Sequence, residues 1–294
     1  MAKGYQVPTK SIDSSSQVKR LLRQAGLKAK KRLGQHFLVD RSVLGKIIHA
    51  AELSPQDTVV EVGPGLGVLT SALAQKAGKV IAVELDAEMA ERLKERMLSQ
   101  PNVQLVNADI LKVDLPHLIG PDTCYKVVAN LPYYITSPIL RYFMENQMKP
   151  SLMVVMVQKE VAESIVARSG KMSLLAVSLH VYSRPIVVAR VPARSFYPQP
   201  KVDSAVVRFD ILPEPAIKVA DMDGFFDVVR RGFSAPRKQL RNSLANGYGV
   251  KPAKIDPLLE HARIEPQRRA ETLSLEEWGR LYKSVAAEED MGKC

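Results

Sequence analysis

Mostly apolar residues fall in short runs without a regular alternation through the middle of the chain, at 58–62, 80–84, 103–107, 126–130 and 152–158. Between most of these runs, at about 68–77, 87–98 and 137–146, apolar positions recur every three or four residues. Continuous runs predict strands buried on both faces of a parallel sheet, and the amphipathic stretches predict the crossover helices. Residues 172–182 read as a further helix, and 185–191 and 205–211 as two closing strands. Only 192–204 joins that last pair, too little for a crossover helix, so the two strands are expected to run antiparallel. The fold class that follows is α/β, a doubly wound, mostly parallel, seven-stranded sheet.

Ahead of the sheet, Asp40 is placed to N-cap a helix through Glu52, in which Val43, Leu44, Ile47 and Ile48 share one face. Residues 18–32 read as a short basic helix with Val18, Leu21, Leu22 and Ala25 aligned, and 1–17 as a disordered polar tail. Behind the sheet, Leu212-Pro213-Glu214-Pro215 interrupts helix and strand alike. Beyond it the pattern is helical throughout, at 225–233, 237–246, 252–262 and 275–287. The expected organisation is a tail over 1–17, a Rossmann-like domain over 18–212 and a small all-helical domain over 213–294.

With 46% apolar and 25% charged residues the chain has a globular composition, and no apolar run approaches a membrane span. Cys124, within a predicted apolar strand, and Cys294 have neither the spacing nor the histidine neighbours of a metal site, so a reducing, cytoplasmic setting without structural metal is expected. Charge changes the picture more. Of the net +11, residues 1–34 supply nine Lys or Arg, among them Lys30, Lys31 and Arg32, against the single acid Asp13. Such an arm superficially resembles a transit peptide, but it runs directly into Gly34-Gln35-His36-Phe37-Leu38 and suits a polyanionic partner, since neutralised phosphates release counterions. In the helical domain Arg230, Arg231, Arg237, Lys238 and Arg241 read as a second, acid-free basic strip, placed to contact the phosphates of a polyanionic partner.

Two stretches carry chemistry. Glu61-Val62-Gly63-Pro64-Gly65-Leu66-Gly67 follows a strand and opens a helix, where glycines let the chain turn sharply and a ligand approach the backbone. Glu84 ends the next strand, where a carboxylate can accept both ribose hydroxyls of an adenosine; Leu85 follows it, and Asp109-Ile110 follows the third strand, where the acid can accept from an adenine amine. Dinucleotide and S-adenosylmethionine sites share this logic. The Gly-x-Gly-x-Gly spacing and the acid at Glu61 favour a ligand bearing an amine rather than a pyrophosphate.

Asn130-Leu131-Pro132-Tyr133 ends the fourth strand, at the carboxyl edge where open parallel sheets bind ligands. The lone pair of an aromatic amine is delocalised into its ring. Hydrogen bonds to the Asn130 amide oxygen and the Leu131 carbonyl would favour a pyramidal nitrogen aimed at an electrophilic methyl group. Pro132 removes a competing donor, and Tyr133 offers a stacking face. Phe196, in a loop stiffened by Pro198 and Pro200, is a second aromatic candidate.

In this order the motifs Gln35-His36-Phe37-Leu38, Gly63–Gly67, Glu84, Asp109, Asn130-Leu131-Pro132-Tyr133 and Phe196-x-Pro-x-Pro-Lys-Val-Asp-Ser closely resemble those of the KsgA-type ribosomal RNA adenine dimethyltransferases, over about 18–244. The resemblance implies a class I S-adenosylmethionine-dependent methyltransferase that dimethylates two adjacent adenines near the 3′ end of small-subunit rRNA. It implies further a monomer acting on a pre-30S particle. By position it implies that His36 and Leu38 line the cofactor site and that Gly63 meets the methionine end. Asn130 would serve cofactor and target together, and Tyr133 with Phe196 would sandwich the target base. The competing readings are an Erm-like enzyme of the large subunit, whose pocket usually reads Asn-Ile-Pro-Tyr, a non-catalytic nucleic-acid-binding protein on the same fold, and a nicotinamide dehydrogenase. Intact Glu84 and Asn130 argue against lost catalysis.

Overall fold

The computed structural model describes residues 14–24, 26, 28–30 and 33–291; the expectations for 1–13, Ala25, Lys31, Arg32 and Cys294 concern residues outside that set. The chain divides into two compact units, Met1–Ala162 with Ile186–Ile211, and Glu163–Pro185 with Leu212–Cys294.

The first unit opens with α1 (Ser15–Gln24), β1 (Phe37–Leu38) and α2 (Arg41–Ala50). It continues through β2 (Thr58–Val62), α3 (Val68–Ala74), β3 (Lys79–Glu84), α4 (Ala87–Arg96), β4 (Val103–Asn107), α5 (Leu115–Ile119), β5 (Tyr125–Asn130), α6 (Thr136–Glu145) and β6 (Leu152–Gln158). After α7 (Lys159–Ile165) and α8 (Leu174–Tyr182), β7 (Ser183–Val191), β8 (Phe196–Tyr197) and β9 (Ser204–Ile211) complete the strands. The seven-stranded sheet has the order β4-β3-β2-β5-β6-β9-β7. Strands β4 to β6 of that order are mutually parallel, and β9 runs antiparallel to β6. The first six residues of β6 are buried, which is why the run reads as unbroken.

Strand order reverses between β2 and β5, and the register there decides where a ligand fits. Pairing of β2 with β5 stops at Val60↔Val127, whereas β2 stays on β3 to Val62↔Val83 and β5 stays on β6 to Asn130↔Met156. The carboxyl ends of β2 and β5 therefore part, leaving a crevice at the switch point. Outside the main sheet, β1 and β8 form a two-residue ladder, Phe37↔Tyr197 and Leu38↔Phe196.

Three expectations need correction. The basic helix is α1, Ser15–Gln24 rather than 18–32; Gly26, at φ +68°, lies in the left-handed region that a continuing helix does not use. Residues 163–185, assigned by the sequence reading to the catalytic domain, pack with the C-terminal helices. Gly170 N and Met172 N donate to Glu271 O, and the Tyr182 ring lies 6.1 Å from Phe226. With six of its nine residues buried, α8 has no broad polar face to show where it belongs. Cys124 precedes β5 and is exposed rather than lying inside a strand.

In the second unit, α9 (Met222–Gly232), α10 (Leu240–Tyr248), α11 (Asp256–His261) and α12 (Leu275–Met291) surround Trp278, which is fully buried and stacked on Phe233 at 5.6 Å. The predicted helix at 237–246 starts only at Leu240, and the one at 252–262 is a 3₁₀ turn, Pro252–Lys254, followed by α11. A Cβ added at Gly232 would stand 2.4 Å from Trp278 Cη2. Gly232→Ala is therefore expected to destabilise this unit by about 1–3 kcal/mol, the usual cost of overpacking a core. Urea denaturation read at the single tryptophan checks it.

Candidate functional site

The turn after β2 carries three glycines in the left-handed region, Gly63 at φ +66°, Gly65 at +53° and Gly67 at +74°. Gly65 cannot take a side chain without meeting Phe37, whose Cε1 would lie 3.0 Å from the new Cβ. Its N–H donates to Glu84 Oε2 at 3.1 Å, and Asp86 N donates to Glu84 Oε1 at 2.9 Å. Glu84 is buried, and desolvation pushes its carboxyl above the ordinary range. Leu85, next in the chain, lines the cleft and is 48% exposed. After β4, Asp109 Oδ1 accepts from Leu111 N at 3.1 Å, which leaves its other oxygen for a ligand and buries Ile110 beneath the turn. Gly63, Gly65, Glu84, Leu85, Asp109 and Ile110 line one cleft at the carboxyl ends of the parallel strands.

Glu61, at the floor of the same cleft, is 1% exposed, and burial pushes its carboxyl up to about 8. The folded protein then holds a proton that the unfolded chain releases above about pH 4.5, so this group makes stability fall as pH rises from there to about 8. Glu61→Gln removes that dependence. The variant is expected to melt higher than the parent at pH 8.5 and alike at pH 5; thermal unfolding at the two pH values checks it.

Across the crevice, β5 delivers Asn130. Its Nδ2 donates to the backbone carbonyl of His36 at 3.0 Å, which fixes the orientation of the amide and leaves Oδ1 as the free acceptor. Leu131 N is held by Met156 O at 3.1 Å, and Pro132 O accepts from Thr136 Oγ1 at 3.1 Å. His36 is fixed in turn: its Nδ1 donates to Pro198 O at 2.6 Å, and its ring stacks on Tyr133 at 5.5 Å and 23°. Tyr133 is half-buried, burial pushes its phenol upward, and its hydroxyl meets Ser204 Oγ at 2.7 Å. His36, Leu38, Asn130, Leu131, Pro132 and Tyr133 all line the cleft. Half-exposed Tyr134 joins them.

Two parts of the expected site are placed differently. Phe196 is 2% exposed and belongs to the core with Leu38, Val43 and Ile47, so the sandwich expected of Tyr133 and Phe196 is not formed; the ring on Tyr133 is His36. Burial against the β1–β8 ladder outweighs exposure of a large ring. The strip Arg230, Arg231, Arg237, Lys238 and Arg241 is not acid-free either. Asp227 pairs with Arg230 and Arg231, and Asp256 pairs with Arg241, while Arg237 and Lys238 are exposed and in no ion pair among the described residues. Lys30 is bound to Asp86 and Glu88 rather than free for RNA.

The sequence profile of the family "Ribosomal RNA adenine dimethylase" matches residues 26–287. A relative from Dehalococcoides mccartyi (strain CBDB1), "Ribosomal RNA small subunit methyltransferase A", is 51% identical over 273 residues, covering 92% of this chain and 93% of that protein. One of the same name from Moorella thermoacetica is 42% identical over 285 residues, covering 94% and 99%. Among solved structures, a dimethyladenosine transferase from Plasmodium falciparum superposes with a TM-score of 0.73 at 26% identity, covering 86% of this chain and 98% of that one. The 23S rRNA methyltransferase ErmE gives 0.67 at 30%, covering 85% and 99%.

Proposed function

The chain belongs to the ribosomal RNA adenine dimethylase family, and from that premise we propose that it transfers methyl groups from S-adenosylmethionine to the exocyclic amines of two adjacent adenines near the 3′ end of small-subunit rRNA, two to each. The cofactor supplies an electrophilic methyl group carried on a sulfonium sulfur. The cleft fits it: a Cβ added at Gly63 would meet nothing nearer than Pro132 at 3.8 Å, so the backbone there is open to approach, and Glu61 Oε2 is buried without a hydrogen-bond partner among the described residues, an acceptor that a cationic amine would satisfy while drawing the carboxyl into its ionised form. Glu84, oriented by Gly65 N–H, would hold the ribose hydroxyls, Leu85 and Ile110 the faces of the adenine, and Asp109 its amine, while Gly63 leaves room for the methionine end.

The observation that carries the reading is the Asn130 amide, clamped at Nδ2 by His36 O. With its orientation fixed before substrate arrives, Oδ1 accepts one N–H of the target amine and Leu131 O the other. Those two bonds draw the nitrogen out of conjugation and aim its lone pair, so the rate gain comes from preorganised dipoles and positioning. No side-chain base is needed, because the proton on the methylated nitrogen is acidic and passes to water. Tyr133 contributes a stacking surface, and Phe196 acts from beneath by holding the β1–β8 ladder whose Leu38 faces the cleft.

Among the described residues no helix is long and apolar enough to cross a membrane. The proposed setting is the cytoplasm, with a monomer acting on a pre-30S particle and Arg237 and Lys238 meeting phosphates. The large-subunit alternative is disfavoured: the relatives named for the small subunit reach 52% identity, against 30% for ErmE. Incubating the enzyme and tritiated cofactor with undermethylated small subunits, then mapping by primer extension, tests the assignment. Stops at two neighbouring adenines near the 3′ end are expected; label confined to large subunits, or none, would overturn it.

A further inference from the structure

Lys30 and residues 33–38 lie outside the seven-stranded sheet, yet residues 33–38 line the cleft and His36 sets the Asn130 amide. One end of this roof is tied by the β1–β8 ladder and by His36 to Pro198 O. The other end is tied by Asp86. Its Oδ1 accepts from Lys30 Nζ at 2.9 Å and its Oδ2 from Gln35 Nε2 at 3.1 Å, while Gln35 Oε1 accepts from Lys30 N at 2.8 Å, closing a ring of three contacts. Glu88 adds a second acceptor for Lys30 at 2.8 Å. The Asp86 side chain is 4% exposed, so its own two bonds are sheltered at the acceptor end, whereas Glu88 is 66% exposed and its bond to Lys30 meets water.

Asp86 also donates its backbone N–H to Glu84, two residues before it, and Leu85 between them faces the cleft. The same three-residue turn thus supports the ribose carboxylate with its backbone and the roof with its side chain. Gln35 is the neighbour of the residue whose carbonyl orients Asn130.

We propose that Asp86 is a positioning residue whose clasp on Lys30 and Gln35 holds the 33–38 segment in register with both the cofactor end of the cleft and the Asn130 amide. This rests on the methyl-transfer reading above and adds to it a coupling between the cofactor end and the target end of the cleft. A side chain that merely stabilised the fold would alter melting and leave both ends of the reaction alone.

The test compares Asp86→Ala, Gln35→Ala and the double variant with the parent. Calorimetry with S-adenosylhomocysteine gives cofactor-site affinity, and single-turnover methylation of small subunits at saturating cofactor gives the rate. Each single variant is expected to weaken the cofactor site about tenfold and, separately, to slow transfer about tenfold, with KM for the RNA within about twofold. The double variant should be no worse than the poorer single one, because both break the same clasp. Asp86→Asn, which keeps an acceptor for Gln35 and loses the Lys30 ion pair, should fall between. A lower melting temperature with affinity and rate unchanged at a temperature where the protein stays folded would overturn the proposal, as would weakened affinity with a full rate at saturation. An inactive parent would instead strike at the methyl-transfer reading, and the calorimetric arm would still judge the clasp at the cofactor site.

Discussion

Asn130→Ala is expected to slow methyl transfer by about a thousandfold while RNA affinity stays within about twofold. Deleting one preorganised acceptor at a reacting centre costs on the order of 10²–10³ in rate. This deletion also leaves His36 O without its donor, so the roof loses a tie as well. Asn130→Asp sharpens the prediction. Aspartate keeps an acceptor for the target amine but offers His36 O no N–H, and two oxygens facing each other would turn the carboxylate away. It should therefore fail nearly as badly as alanine. Single-turnover kinetics at saturating cofactor measure the rate, and anisotropy of a labelled hairpin measures binding. Transfer near the parent's rate in either variant would remove Asn130 from the mechanism.

The second large effect is expected at Glu84. Its two oxygens already accept from Gly65 N and Asp86 N, and their remaining lone pairs face the cleft. Glu84→Gln replaces one oxygen by an amine that must donate. It then clashes with one of those backbone donors or turns its donor toward the ribose, and either way a charge-assisted pair of hydrogen bonds is lost. At about 1.5–3 kcal/mol for a bond to a charged group, cofactor affinity should fall about a hundredfold. At saturating cofactor the rate should recover most of its value, in contrast to Asn130→Ala. Calorimetry with S-adenosylhomocysteine checks the first claim and rate measurements over a range of cofactor concentration the second.

Legibility in the sequence followed the physics of burial. The bounds of strand 152–158 are legible because a strand covered on both faces writes a nearly continuous apolar run, whereas 103–107, at the sheet edge with none of its residues buried, is legible from its alternation with the helices on either side. Asp40 showed its cap for a similarly local reason, accepting from Ser42 N and Val43 N one turn away. The cleft-lining side chains after β2, β3, β4 and β5 were legible because the sheet topology brings the carboxyl ends of those strands together. What stayed hidden was non-local or carried by backbone. His36 acts on Asn130 through its carbonyl, which no residue type signals, and the resemblance gave it a place without a reason. Lys30 counted as free charge, whereas Asp86, 56 residues later, neutralises it. Asp227 and Asp256 hide parts of the second basic strip in the same way. Phe196 was read as a base-stacking ring because a stiff loop and an aromatic residue look alike whether the ring turns out or in; pairing with Leu38 turned it in.

The most direct measurement is a crystal structure with S-adenosylhomocysteine and an RNA hairpin presenting the target adenine. The exocyclic nitrogen is expected within about 3 Å of both Asn130 Oδ1 and Leu131 O, with Asn130 Nδ2 still on His36 O. An adenine seated with that nitrogen beyond reach of both oxygens, or an Asn130 amide turned to present Nδ2 to the base, would contradict it.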